Sequence, residues 1–281
     1  MLLSHGWAIP ILLAAVLLAV GSFLNVVIHR LPIMLDRELR RHARELLEIS
    51  PEHSARESRR FNLAVPRSQC PHCEHPIPLR HNVPILSWLI LRGRCPCCNA
   101  SIPARYPLVE AAALLTGLLV VHAFGYEWLT VAFLLYTSSL IALGCIDLET
   151  QLLPDEITMP LLWAGILAAL AFGHVSPADS VIGAVVGYAV LWTVYWGFKL
   201  LTGREGMGHG DFKLLAALGA WLGWQALPAV VLIASLAGLA YAAVALVRRT
   251  IRRDQPIPFG PFLAAAGWVT LVFREQLIGF H

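Results

Sequence analysis

The chain has 281 residues, 57% of them hydrophobic and 14% charged, with a mean hydropathy of +0.66. Recurrent runs of about 20 apolar residues make it an all-α polytopic membrane protein and exclude an ordinary soluble enzyme. The net charge of +3 says little, and no nucleic-acid partner is expected, but the placement of charge is informative: 13 of the 21 Lys and Arg fall between Arg30 and Arg105.

The first apolar run, Trp7 to Ile28, lacks a basic leader region and a small-residue cleavage site, so it reads as a retained helix rather than a signal peptide. Pro32 is expected to end it. Residues 33 to 61 are rich in Arg and Glu, with Leu39, Leu46, Leu47 and Ile49 at helical intervals. That pattern suits an amphipathic helix over the headgroups, or a solvated charged helix.

Cys70-Pro-His-Cys73 and Cys95-Pro-Cys-Cys98 then form two C-x-x-C pairs separated by 21 residues. The spacing predicts a tetrahedral structural zinc site on Cys70, Cys73, Cys95 and Cys98. Disulfides are the competing reading, and they need an oxidising compartment, against which the surrounding positive charge argues. Cys97 could replace a neighbour as ligand; His72 and His75 lie close in sequence.

From Tyr106 onward the chain is nearly all membrane. The expected spans are 108 to 124, 128 to 146, 157 to 173, 180 to 201, 212 to 223, 226 to 247 and 259 to 278, which with the first helix make about eight. The run 212 to 223 is too short to cross a bilayer unaided and could be re-entrant or half-length. With the N-terminus outside, residues 29 to 106 form a cytoplasmic loop domain, and every Lys and Arg except Arg274 falls on or beside the cytoplasmic side. The same topology brings the ends of two apolar runs to one face. One carries Asp147, followed by Glu149, Asp155 and Glu156; the other carries Gly206-Met-Gly-His-Gly-Asp-Phe-Lys213, with Glu205 before it and Asp211 inside it.

Acids at membrane segments are functional candidates, and glycines let another chain approach or allow φ > 0. Two carboxylates a few ångströms apart share one proton near neutral pH. Such a pair activates water and protonates a leaving amine, which is aspartic peptidase chemistry. The surrounding acids favour a basic substrate segment, or are ordinary solvated loop acids.

These residues carry a family resemblance. Gly21-Ser-Phe-Leu-Asn-Val-Val-Ile-His-Arg-Leu-Pro32, the cysteine pairs, Arg92-Gly-Arg-Cys95, Ala104-Arg-Tyr-Pro-Leu-Val-Glu110, Asp147 with Leu153-Pro-Asp155, the 206–213 tract and Pro256-Ile-Pro-Phe-Gly-Pro261 together resemble the bacterial prepilin leader peptidases. The resemblance implies cleavage of the basic leader from prepilins and type II secretion pseudopilins at the cytoplasmic face of the inner membrane. It also implies N-methylation of the new amino terminus with S-adenosylmethionine. Asp147 and Asp211 correspond to the catalytic pair, the four cysteines to the zinc ligands, and Asp155 to a supporting position. The methyl-transfer site has no Gly-x-Gly-x-x-Gly loop to mark it; the resemblance points to the cytoplasmic loop, where Gly93 is a candidate, or simply a turn glycine. Implied partners are the substrates, membrane lipid and the pilus or secretion assembly machinery. The domains expected are 1–28, 29–106 and 107–281. An ion or proton transporter and a scaffold docking a secretion ATPase are the rival readings.

Overall fold

The computed structural model describes residues 8–47, 61–70, 72–78, 83–204, 206–250 and 257–278. Among them every regular element is helical: α1 (Ala8–Leu46), α2 (Leu86–Ile90), α3 (Arg105–Phe124), α4 (Trp128–Thr150), α5 (Asp155–Phe172), α6 (Pro177–Thr202), α7 (His209–Leu222), α8 (Leu227–Val247), α9 (Gly260–Val272) and α10 (Arg274–Ile278), with a 3-10 turn at Trp224–Ala226. Six segments are long and apolar enough to span a bilayer: α1, α3, α4, α5, α6 and α8 with its preceding turn. The protein is a multi-pass membrane protein. The other two expected spans are shorter; α7 has 14 residues and α9 has 13, about 20 Å each at 1.5 Å per residue.

The chain divides into two units, Met1–Leu118 and Leu119–His281. In the first, α1 and α3 run antiparallel at close range. Gly21 lies against the Glu110 backbone, Leu17 packs over Gly117, and Asn25 Nδ2 donates to the Tyr106 carbonyl at 3.0 Å. Small residues at such a crossing replace the hydrophobic driving force that lipid does not provide.

Pro32 does not end α1, contrary to the sequence expectation: the helix runs through it to Leu46. An interior proline forfeits one backbone hydrogen bond and costs about 3 kcal/mol or more. The turn before it is held from outside, where Arg30, 9% exposed, donates to the carbonyls of Asn62 (2.9 Å), Leu63 (3.2 Å) and Pro66 (2.7 Å). Hydrogen bonds from a charged donor contribute about 1.5–3 kcal/mol each, enough together to offset the proline. The expected separate helix over 33 to 61 is therefore, as far as Leu46, the end of α1; residues 48–60 with Ile49 lie outside the described residues.

The second unit is built around α7. Every residue from Leu214 to Leu222 is buried, which suits a short helix enclosed by its neighbours. Its contact with α6 is made backbone to backbone, Gly219 against Gly183 and the Leu215 carbonyl against Gly187. Ser180 Oγ on α6 also donates to the Ala220 carbonyl at 2.6 Å. On α5, Gly165 makes room for Trp221, whose Nε1 donates to the Leu161 carbonyl at 2.8 Å. On α9, Gly267 receives Leu218.

A Cβ at Gly183 would overlap the Gly219 carbonyl, and backbone on both sides cannot rotate away. Gly183→Ala is therefore expected to destabilise the unit by the upper part of about 1–3 kcal/mol. Gly197→Ala on the same helix, where a Cβ meets nothing within 4 Å, should be neutral. Thermal midpoints of the two variants in one detergent make the comparison.

Candidate active site and metal centre

Asp147 lies in the last turn of α4 and Asp211 in the first turn of α7, and both are buried, 5% and 6% exposed. The two carboxylates are within electrostatic reach of each other. Asp147 Oδ2 accepts the Gly260 N–H at 3.0 Å, which ties it to the start of α9. Gly208, inside the glycine-rich tract, lies beside Asp211: a Cβ built there would come within 3.9 Å of Asp211 Oδ2. The Gly260 amide gives the buried Asp147 a backbone donor, as burial of a polar group requires.

Leu153 fits between the two segments that hold these acids. Built on Gly210, a Cβ would come within 2.7 Å of Leu153 Cβ; built on Gly260, within 3.1 Å of Leu153 Cδ2. Gly210 precedes Asp211 and Gly260 bonds Asp147, so one leucine spaces both carboxylates. Asp155, two residues on, receives Lys213 Nζ at 2.8 and 2.6 Å, fastening the start of α5 to α7 two residues beyond Asp211.

The glycine tract therefore works by close approach: Gly210 accommodates Leu153 and Gly206 lies against the Phe198 ring. None of Gly206, Gly208 and Gly210 takes a positive φ, the other use expected of them. Gly260 and Leu153 were not singled out as site residues from the sequence, although both lie in motifs that carry the family resemblance. Of the acids expected to line the entrance, Glu149 and Glu156 are exposed, Asp155 is paired to Lys213, and Glu205 lies outside the described residues.

Gly210→Ala is expected to lower peptide cleavage about 100-fold, mainly in kcat, because displacement of a catalytic group by about 1 Å has that order of effect. Steady-state kinetics against Gly197→Ala test it.

The four cysteines also come together. The Sγ atoms of Cys70, Cys73, Cys95 and Cys98 all lie within 4.8 Å of one another, and Cys70 and Cys98 are 3.8 Å apart. For tetrahedral thiolates at a Zn–S distance of about 2.3 Å the edge is about 3.8 Å, so the cluster fits such an ion and could hold one.

Two copies of one knuckle build the cluster. Cys70 N–H donates to His75 O (3.0 Å) and Glu74 N–H to Cys70 O (2.9 Å); Cys95 N–H donates to Ala100 O (2.9 Å) and Asn99 N–H to Cys95 O (2.9 Å). Glu74 and Asn99 take φ of 55° and 57°, and isolated antiparallel bridges pair Gln69 with Pro76 and Arg94 with Ser101. Each feature recurs after 25 residues, and Ser68-Gln-Cys-Pro-His-Cys-Glu-His-Pro-Ile-Pro78 aligns with Gly93-Arg-Cys-Pro-Cys-Cys-Asn-Ala-Ser-Ile-Pro103. In this register Cys97 is the counterpart of His72. It is exposed and outside the cluster of four. Gly93 takes φ 66° beneath the Trp88 indole, which a Cβ would meet at 2.9 Å. This geometry accounts for a glycine there without any ligand.

Two family models match the chain: the bacterial peptidase A24 N-terminal domain over residues 16–124 and the type IV leader peptidase family over residues 134–243. A relative in Aeromonas hydrophila is 53% identical over 281 residues, covering 99% of this chain and 96% of its own length. One in Stutzerimonas stutzeri is 53% identical over 262 residues, covering 92% and 89%, and one in Pseudomonas aeruginosa 48% identical over 277 residues, covering 98% and 94%. All three are named prepilin leader peptidase/N-methyltransferase. No solved structure matches the chain.

Proposed function

We propose that this chain, which belongs to the type IV leader peptidase family, removes the leader peptide from prepilins and pseudopilins and methylates the amino terminus so exposed. The observation that carries the reading is the pair of buried acids, Asp147 and Asp211, brought together from the ends of α4 and α7. In the reaction, one carboxylate takes a proton from water as the oxygen attacks the scissile carbonyl. The other, protonated, gives its proton to the departing amine as the peptide bond breaks. Gly260 holds Asp147 by its amide, Gly208 lies beside Asp211, and Leu153 sets the spacing.

The metal site is assigned to zinc on Cys70, Cys73, Cys95 and Cys98 in a structural role, because four thiolates leave no open coordination position. S-adenosylmethionine supplies an electrophilic methyl group to the free amine. Its site is assigned to the loop domain, residues 29–106, with Gly93 as the candidate named by resemblance, and the peptidase domain to residues 107–281. The active site faces the cytoplasm from the inner membrane, in keeping with the distribution of Lys and Arg. Membrane lipid and the pilus or secretion assembly machinery complete the expected partners.

The transporter alternative rested on buried acids alone and draws no support from relatives named for peptide cleavage and methyl transfer. The test is mass analysis of a purified prepilin incubated with the enzyme in detergent, with and without S-adenosylmethionine. Loss of the leader mass in both samples and gain of one methyl mass only in the second are expected. An unchanged prepilin under both conditions rejects the reading.

A further inference from the structure

The short helix α2, between the two cysteine knuckles, turns apolar side chains outward. Leu86, Leu89 and Ile90 are 57%, 56% and 78% exposed, while Ser87 is buried and the Trp88 Nε1 donates inward to the Ile102 carbonyl at 3.1 Å. Val83, just before it, is also exposed, and Arg92 and Arg94 follow it on the surface. In water a contiguous group of this kind is an interaction site.

Its depth identifies what covers it. The residue that opens α2, Ile85, donates its backbone N–H to Glu110 Oε2 at 2.7 Å. Glu110 is five residues inside the spanning helix α3, roughly 8 Å below its start at a rise of 1.5 Å per residue. It also lies against Gly21 of α1, nine residues short of Arg30 and within the apolar run of that helix. Arg105 and Tyr106, at the start of α3, are residue types that favour the membrane–water boundary. Glu110 thereby fixes α2 beside the second turn of a membrane-spanning helix.

We propose that α2 is an interfacial anchor: Leu86, Leu89 and Ile90 enter the boundary between headgroups and acyl chains, and Arg92 and Arg94 contact anionic headgroups. Amphipathic segments of this kind bury their apolar face about 5–10 Å into that boundary, the depth at which Glu110 holds it. Seen this way, the knuckle pair is seated on the bilayer and does not swing free on its linkers. The buried Glu110 has a function apart from chemistry, as the bracket for the loop that enters the membrane.

The test uses full-length, metal-loaded protein carrying Cys97→Ser and Cys145→Ser, in nanodiscs containing phosphatidylglycerol. A nitroxide is attached at Ile90→Cys. Controls are Leu115→Cys, outward on α3, and Arg204→Cys, exposed in the loop after α6. Collision with oxygen, enriched in lipid, is compared with collision with a water-soluble nickel chelate. Ile90→Cys is expected to favour oxygen like Leu115→Cys, with a ratio several-fold above that of Arg204→Cys. Adding Arg92→Gln and Arg94→Gln should reduce the ratio in phosphatidylglycerol but not in phosphatidylcholine. A ratio at position 90 equal to that at position 204 overturns the proposal. So does a site that is open to the nickel chelate until prepilin is added, which would give the surface to substrate instead.

Discussion

Asp147→Asn and Asp211→Asn are each expected to lower leader removal by about 100- to 10,000-fold, the range that a positioned acid or base supplies. Asparagine has nearly the shape of aspartate and at position 147 keeps an oxygen for the Gly260 N–H, so the fold should survive. It cannot take up or deliver the proton. Because the two acids act as one device, the double variant should be little worse than either single variant. Methyl transfer to a peptide supplied already cleaved should continue in all three, since no step of it needs the pair. Mass analysis of both reactions on the same preparations separates the two activities. Cleavage retained by either single variant would remove that acid from the pair and direct attention to Asp155 or Glu149.

The sequence made this pair readable for a physical reason. A carboxylate at the edge of a long apolar run is costly in hydrocarbon, and the positive-inside pattern put the two runs' ends on one face. What holds the acids was not legible. The Gly260 amide reaches Asp147 across 113 residues, and Leu153 looks like an ordinary apolar residue until its two glycine neighbours are known. Contacts of that kind depend on which helices meet, and hydropathy does not specify it.

Helix lengths divide similarly. Apolar run length located α3, α4, α5, α6 and α8, and it marked the stretch at 212–223 as short. Enclosure resolves that anomaly, since α7 is buried among α5, α6 and α9 and has no need to span alone. Local rules failed at Pro32, where the cost of a helical proline is intrinsic but the compensation, Arg30 bonded to three carbonyls of residues 62–66, is tertiary. The final run is likewise divided: α9 has 13 residues and is followed, after Phe273, by the five-residue α10.

Removing the metal is expected to have the second largest effect, and to act on structure. Among the described residues the two knuckles share no sheet beyond single bridges, and the loop between them contributes only the five-residue α2. With so little buried core, metal ligation by the four thiolates is expected to be the main cohesive force; structural zinc in comparable small motifs contributes about 10–16 kcal/mol. Cys95→Ser, or stripping with a strong chelator, should therefore release about one metal equivalent per chain and make residues 61–103 the first segment cut by protease. The membrane helices should stay protected. Cys97→Ser should keep its metal and its protease resistance, because Cys97 corresponds to His72 at the exposed tip of its knuckle. Elemental analysis and limited proteolysis of the three proteins decide the matter. Full metal content in Cys95→Ser with loss in Cys97→Ser would move the ligand from one residue to the other and break the 25-residue correspondence. Absence of metal from the wild type, together with cysteines unreactive until reduced, would mean that the four sulfurs pair as disulfides.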